Sequence, residues 1–396
     1  MNNMETVQKT LRLHLAIFGR VNAGKSSFLN LVAGQNIAIT SDVAGTTTDI
    51  VEKSQELIPL GPVVWMDTAG FGDETPLGRQ RMEKSLKALD KADVVVLVCA
   101  GNNIGAEEQE IIATCKKRRL PMIKIFNKAD ILPHDGDGIP VNSLDMESRD
   151  KVLNLFKEEL LKKTPPGFFD TPPLISDLVS PHSTVILVIP IDEQAPKARL
   201  LPLQVHVIRD CLDHACTVLS VKDSEYAEAL AALKQKPGLV ITDSSVVDMV
   251  TALTPEDIPC TTFSILFARM KGDLSRFAQG AKAIRSLQDG DKVLMAESCT
   301  HHAAKNDIGT VKIPRLLQKV TGKNLNISHV AGCDFPNDLA SYRLVIQCGG
   351  CMTTRREMLS RIRKCEEVGV AITNYGVCIS ELQGVLSRVI KPFGIN

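Results

Sequence analysis

Residues 13–30 read LHLAIFGRVNAGKSSFLN, and this stretch decides the fold of the first third of the chain. The largely apolar run at 13–18 has the length of a buried strand, a glycine-bounded loop follows at once, and SSFLNLVAG has the look of a helix. Strand, loop and helix in that order point a helix N-terminus and a row of backbone N–H groups at an anion. Gly19 to Ser26 fits G-x-x-x-x-G-K-[ST], which makes Gly19, Asn22, Gly24, Lys25, Ser26 and Ser27 candidate phosphate-binding residues. In such a loop Lys25 reaches the β and γ oxygens and the Ser26 hydroxyl goes to magnesium. Taken alone, the pattern is also within reach of chance.

Two further loops remove that ambiguity. VVWMDTAGFGD at 63–73 is a second apolar strand ending in Asp67, the place for a carboxylate that holds magnesium through water, with Gly70 free to approach a γ-phosphate. A third strand, RLPMIKIF, runs into NKAD at 127–130. There Asp130 can accept from both N–H donors on a guanine edge, Lys128 can cover the ring, and Asn127 ties the loop together. Three such loops at the carboxyl ends of successive strands read as a guanine-nucleotide site.

The motifs GRVNAGKS, AGTTTD, DTAG and NKAD resemble those of small GTP-hydrolysing domains, and specifically the tRNA-modification (TrmE-like) branch, over roughly residues 10–165. The resemblance implies that Thr47 is the switch threonine on magnesium and that Asn22 helps hold a potassium ion in the role of an arginine finger. Lys25, Thr47, Asp67 and Gly70 are then the candidate catalytic residues. The chain departs from the branch at Thr48, where an Arg is usual. Phe71 stands where many GTPases carry a water-orienting Gln, so slow, potassium-stimulated hydrolysis is expected, with Asp73 or Glu74 as candidates for orienting water.

With 396 residues the chain is too long for one ordinary core. The expected architecture is α/β: a P-loop GTPase domain at 1–165 and two smaller α/β domains with mainly parallel sheets at 174–268 and 269–396, after a Pro-rich linker TPPGFFDTPP. Lys plus Arg and Asp plus Glu balance at 46 each, which argues against a nucleic-acid or anionic-membrane partner. No apolar run approaches the ~18 residues of a membrane span, and no export signal precedes the first strand, so a cytoplasmic protein is expected. Eleven cysteines, an odd count, then read as reduced thiols rather than a disulfide framework.

In the middle domain STVILVIPI, CTVLSV, GLVITD and TTFSILF read as strands, alternating with amphipathic stretches. Cys211, Cys216 and Cys260 read as core residues, and His206 and His214 as core or solvated histidines. With no visible chemistry, this domain is expected to serve assembly, as a homodimer.

The last domain carries thiols at strand ends. DKVLMAESCTHH runs into Cys299, and YRLVIQCGGC runs into Cys348 and Cys351, with MTTRREMLSRIRKC reading as a helix whose N-terminus faces them. Parallel strands bring their carboxyl ends to one edge, where three sulfurs can meet. Zinc with His301 or His302 as fourth ligand, an iron–sulfur cluster, a dithiol redox pair, and a plain strand-to-helix turn all fit the spacing. Cys333 follows a strand and is a weaker ligand candidate; Cys99, Cys365 and Cys378 read as packing residues.

Across its whole length the chain resembles the HydF family of FeFe-hydrogenase maturation GTPases: a TrmE-like domain, a middle α/β domain, and CTH followed 45 residues later by QCGGC. The resemblance implies a 4Fe-4S cluster on Cys299, Cys348 and Cys351 with an exchangeable fourth position, for which His301 of the Cys-x-His element, His302, another residue or solvent are the candidates. It further implies GTP/GDP, Mg2+ and K+ as cofactors, and a scaffold or carrier that delivers a di-iron subcluster precursor to apo-FeFe-hydrogenase alongside the radical-SAM maturases. Gln347 departs from the family's usual His-Cys-x-x-Cys and offers no imidazole. A tRNA-modification GTPase with a zinc module is the alternative; a scarcity of stacking aromatics, three Tyr and one Trp, stands against it.

Overall fold

The computed structural model describes residues 10, 12–34, 51–57, 61–71, 85–102, 104–166, 168, 173–191, 200–298, 307–332, 335–336, 338–351 and 353–395. Thr47, Thr48, Asp73, Glu74, Cys299, His301, His302 and Cys333 lie outside the described residues. The chain forms two compact units, 1–170 and 171–396. Among the described residues no helix is long and apolar enough to cross a membrane.

The first unit is built on β1 (Leu13–Phe18), β2 (Val51–Leu57), β3 (Gly61–Asp67), β4 (Val94–Ala100), β5 (Met122–Asn127) and β6 (Ile139–Val141), in the order β2-β3-β1-β4-β5-β6. Only β2 is antiparallel to its neighbour. Alternation along β1 divides the core: Leu15 and Ile17 pack on one face with Phe28, Trp65 and Phe156, while Ala16 and Phe18 pack on the other with Met66, Leu97 and Phe126. Trp65 lies 5.5 Å from Phe156 and 6.3 Å from Phe28, ring centre to ring centre. Such aromatic pairs contribute ~0.5–1.5 kcal/mol each beyond burial, and they seat the helix Lys25–Ala33 on the sheet.

The second unit holds two all-parallel sheets. β7 (Thr184–Val188), β8 (Thr217–Val221), β9 (Leu239–Thr242) and β10 (Cys260–Thr262) are ordered β10-β9-β7-β8. β11 (Lys292–Glu297), β12 (Asn326–Ala331), β13 (Leu344–Gln347) and β14 (Ala371–Asn374) are ordered β12-β11-β13-β14. Buried on both faces, β11 and β13 read as continuous apolar runs, as parallel strands do.

Two expectations need correction. TTFSILF is mostly helix: β10 ends at Thr262, whose side chain caps the N–H of Ile265 at 3.1 Å, and Phe263–Lys271 is helical. An apolar run that is buried all round has no periodicity to separate strand from helix, and the Thr cap decides it. For the same reason the expected boundary at 268/269 falls inside this helix, which adds Ile265 and Ala268 to the core beneath the last sheet.

Candidate functional site

At the carboxyl edge of the first sheet, β1 is flanked by β3 and β4, with β5 next, so the loops after β1, β3 and β5 line up. Gly24 has φ +91°, left-handed backbone, and a Cβ there would collide with the Asn127 amide. That close approach carries a bond: Asn127 Nδ2 donates to the Ala23 carbonyl at 2.9 Å, and its Oδ1 accepts from the Ser143 N–H at 3.1 Å. Asn127 therefore joins the phosphate loop, the NKAD loop and the turn after β6. Ser143 escaped the reading of the sequence because a three-residue strand carries no periodic signal.

Lys25 is buried, and its Nζ donates to the carbonyls of Gly19 and Arg20, both at 2.9 Å. Burial pulls its pKa down to about 8, against the opposing pull of the Asp67 carboxylate. Burial likewise raises Asp67, with Lys25 and the Ser26 hydroxyl acting the other way. Ser26 Oγ lies 3.4 Å from Asp67 Oδ2, while Asp67 Oδ1 is buried with no hydrogen-bond partner among the described residues. A hydroxyl beside a carboxylate with an unsatisfied oxygen fits a hard divalent cation such as Mg2+.

Gly70 packs against this pair: a Cβ would sit 2.8 Å from Lys25 Nζ and 2.9 Å from the Val21 nitrogen. The next residue pairs with the phosphate loop as well, since the Val21 N–H donates to the Phe71 carbonyl at 2.9 Å. The Phe71 ring is buried in the apolar core and orients no water. Arg20 ion-pairs with Glu108 at 3.0 Å and Glu107 at 3.3 Å, which pins the loop to the helix Ala106–Arg118. Asn22 is exposed with φ +63°, Lys128 is half-buried with φ +59°, and Asp130 is exposed, its carboxylate open to a base edge.

A second edge lies in the other unit. β11 and β13 pair in register, Ala296 opposite Gln347, so Ser298 and Cys348 emerge side by side. The Ser298 N–H points to Cys348 Sγ at 3.3 Å, and the Cys348 N–H donates to the Ala296 carbonyl at 2.9 Å. Cys348 is half-buried and Cys351 exposed, and the nine described cysteines are free thiols. Among the described residues no group of three His, Cys, Asp or Glu is poised to hold a metal; the expected ligands Cys299 and His301 fall outside them. Cys99, Cys211, Cys216, Cys260, Cys365 and Cys378 are buried, as expected of packing thiols.

The helix after the thiols begins later than expected, at Arg355, and Thr354 caps it through the Glu357 N–H at 3.2 Å. The charge at the loop comes instead from Lys271, which the sequence reading missed. Its Nζ donates to the carbonyls of Gly350 at 2.9 Å, Cys351 at 3.3 Å and Thr353 at 2.7 Å. Only 1 % of Lys271 is exposed, and burial draws its pKa down to about 8, opposed by Cys351, Glu357 and Cys348. Arg355 returns the contact, donating to the carbonyls of Met270 at 2.5 Å and Gly272 at 3.1 Å. At the same edge Tyr375 donates to Glu297 at 3.1 Å, and burial pushes the phenol pKa up.

His206 is half-buried on the helix Pro202–Asp213, where burial lowers its pKa; the His214 ring bonds the Val179 carbonyl at 3.0 Å. Neither imidazole bonds a second histidine or a thiol among the described residues, although the Cys216 thiol donates to the His214 backbone carbonyl at 3.8 Å.

Fold and site define a P-loop guanine-nucleotide-binding protein with two appended parallel α/β layers. Three family models match consecutive parts of the chain: a 50S ribosome-binding GTPase at 14–128, the hydrogen maturase F dimerization domain at 174–272, and the hydrogen maturase F tetramerization domain at 275–392. The chain belongs to the hydrogen maturase F (HydF) family. Among curated proteins it is 36% identical over 144 residues to the tRNA modification GTPase MnmE of Methylococcus capsulatus, covering 36% of this chain and 30% of that protein. It is 33% identical over 126 residues to GTPase Der of Kosmotoga olearia, covering 30% and 28%. The chain thus spans less than a third of the length of these relatives. Among solved structures, Aquifex aeolicus Era bound to GDP.AlF4- overlaps 53% of this chain and 94% of its own, at 21% identity and a TM-score of 0.33.

Proposed function

We propose that this chain is a GTP-hydrolysing scaffold of FeFe-hydrogenase maturation, which binds a 4Fe-4S cluster and carries the di-iron precursor to apo-hydrogenase in exchange with the radical-SAM maturases. The observation that carries the reading is the match of both appended layers to hydrogen maturase F models, with paired thiols on the strand edge of the last one.

In the nucleotide half, backbone N–H groups from Gly19 to Ser27 cradle the phosphates and Lys25 turns from the Gly19 and Arg20 carbonyls to the β and γ oxygens. Ser26 and Asp67, with Thr47, would hold Mg2+, and the Gly70 backbone would approach the γ-phosphate. Asn127, Lys128 and Asp130 select guanine. Asn22, exposed in left-handed backbone on the phosphate loop, would help hold K+, which would supply positive charge during hydrolysis. In the other half Cys299, Cys348 and Cys351 would hold the cluster, and His301, as a weaker fourth ligand than a thiolate, would leave the exchangeable site that a carrier needs. The two layers named for dimerization and tetramerization serve self-association, with a homodimer as the basic unit.

The competing tRNA-modification reading draws on a likeness that covers 36% of the chain. Anaerobic reconstitution with iron and sulfide separates the two. Broad visible absorption and an EPR signal on reduction are expected, lost in Cys299→Ala but kept in Lys25→Ala, with the reverse pattern for GTP hydrolysis. Stoichiometric zinc without colour, or tRNA retained on a filter, would overturn the proposal.

A further inference from the structure

Gln347 ends β13, is fully buried, and precedes Cys348. Its amide has only one chemically consistent orientation. Arg361, 2% exposed on the helix Arg355–Glu367, donates from Nη1 to Gln347 Oε1 and from Nη2 to the Gly332 carbonyl. A guanidinium has donors only, so the amide oxygen must face it and the NH2 group must face away. That NH2 group meets Ser298 Oγ at 2.9 Å and Cys348 Sγ at 3.4 Å.

The Ser298 hydroxyl follows the same logic. Its oxygen accepts from Gln347 and from the Cys348 thiol, 3.3 Å away, and lies 3.5 Å from Arg361 Nη1; once that thiol loses its proton, the hydroxyl is free to turn its own towards the sulfur. With the Ser298 N–H at 3.3 Å, two donors, that backbone N–H and the Gln347 amide, converge on one sulfur. Donors gathered in this way suit a sulfur that carries negative charge, as a metal-bound thiolate does.

We infer that Gln347 is a positioning residue for Cys348: clamped by Arg361, it donates its side-chain N–H to the ligand sulfur and does not itself enter the metal's coordination. The inference rests on the reading of this edge as an iron–sulfur site. To ligate through its oxygen, Gln347 would have to abandon a buried guanidinium, which takes from that charge the acceptor of its Nη1. As a donor it withdraws charge from the sulfur, and hydrogen bonds to ligand sulfurs are one of the protein's levers on cluster potential.

The test compares the full-length wild type with Gln347→Met, which removes the donor at similar volume, and Gln347→Glu, which keeps an acceptor for Arg361 but has no N–H. After anaerobic reconstitution both variants should hold as much iron per chain as the wild type. Both should reduce at a more negative potential, with roughly a tenfold shift in the one-electron equilibrium, ~59 mV. Iron loss equal to that of Cys348→Ala would make Gln347 a ligand and overturn the inference, as would an unchanged potential. Should either variant fail to fold by circular dichroism, wild type carrying side-chain 15N-glutamine decides the matter by pulsed EPR. Weak nitrogen coupling to the reduced cluster is expected, and strong coupling or none overturns the inference. A wild type that takes up no iron sinks the functional reading first and this inference with it.

Discussion

Asn127 donates to the Ala23 carbonyl across 104 residues of sequence, so one side chain couples the NKAD loop after β5 to the glycine-rich loop after β1. Its other amide atom takes the Ser143 N–H. Asn127→Ala leaves a buried carbonyl and a buried N–H without partners, at ~1–3 kcal/mol each. GTP and GDP affinity should both fall by at least tenfold in a fluorescence titration. Equal affinities for wild type and variant would show that the two loops hold their places independently.

Asp130 is exposed at the end of the same loop, its carboxylate acceptor-only and open to a base edge. Asp130→Asn replaces one acceptor by a donor, which mismatches guanine and matches xanthine. Loss of a charge-assisted hydrogen bond, ~1.5–3 kcal/mol, corresponds to roughly a 100-fold weaker GTP complex. Competition between GTP and XTP reads the result: preference should invert, and a uniform loss for both nucleotides would place base recognition elsewhere.

The nucleotide edge was legible from residues 13–130 because each of its loops is written locally: glycines, lysine and hydroxyl at fixed spacing directly after an apolar strand. The thiol edge was legible only in outline. Lys271 donates to carbonyls 79 to 82 residues away, and nothing in FSILFARMK marks its cation as destined for burial. Gln347 read as an absent imidazole, yet its amide is engaged on both sides; the Arg361 that fixes it stands 14 residues on, in the following helix. Partners set by tertiary packing leave no spacing to find.

Lys25 gives the nucleotide site a pH dependence. Its pKa is about 8 when surrounded by its own loop, and phosphate oxygens raise the pKa of an amine they bind. Below pH 8 the amine is already charged, so binding takes up no proton there. Above pH 8 binding must protonate it, and affinity falls as pH rises. At pH 9 a group of this pKa takes up ~0.9 proton on binding. Calorimetry in two buffers of different ionisation enthalpy measures that uptake directly; Lys25→Ala should abolish it. Zero uptake in the wild type at pH 9 would contradict the assignment of Lys25 to the phosphates.

Lys271 closes the strand-to-helix turn that carries Cys351 by supplying one cation to three carbonyls, which otherwise face one another across a buried space. Lys271→Met keeps an unbranched side chain in the same place but removes every one of those donors, together with the ammonium that lies 4.8 Å from the Phe267 ring centre. Carbonyls bonded to a charged group lose ~1.5–3 kcal/mol each when that partner goes, so the turn should open locally long before the sheet beneath it unfolds. Hydrogen exchange of the amides at 350–355 should accelerate by at least tenfold, while amides of β11 and β13 keep their protection. Iron retained after reconstitution should fall in parallel, because the Cys351 sulfur is no longer held at the sheet edge. Exchange at wild-type rates throughout 350–355 would mean that the turn is held by its backbone alone and that Lys271 is a buried charge without a structural task.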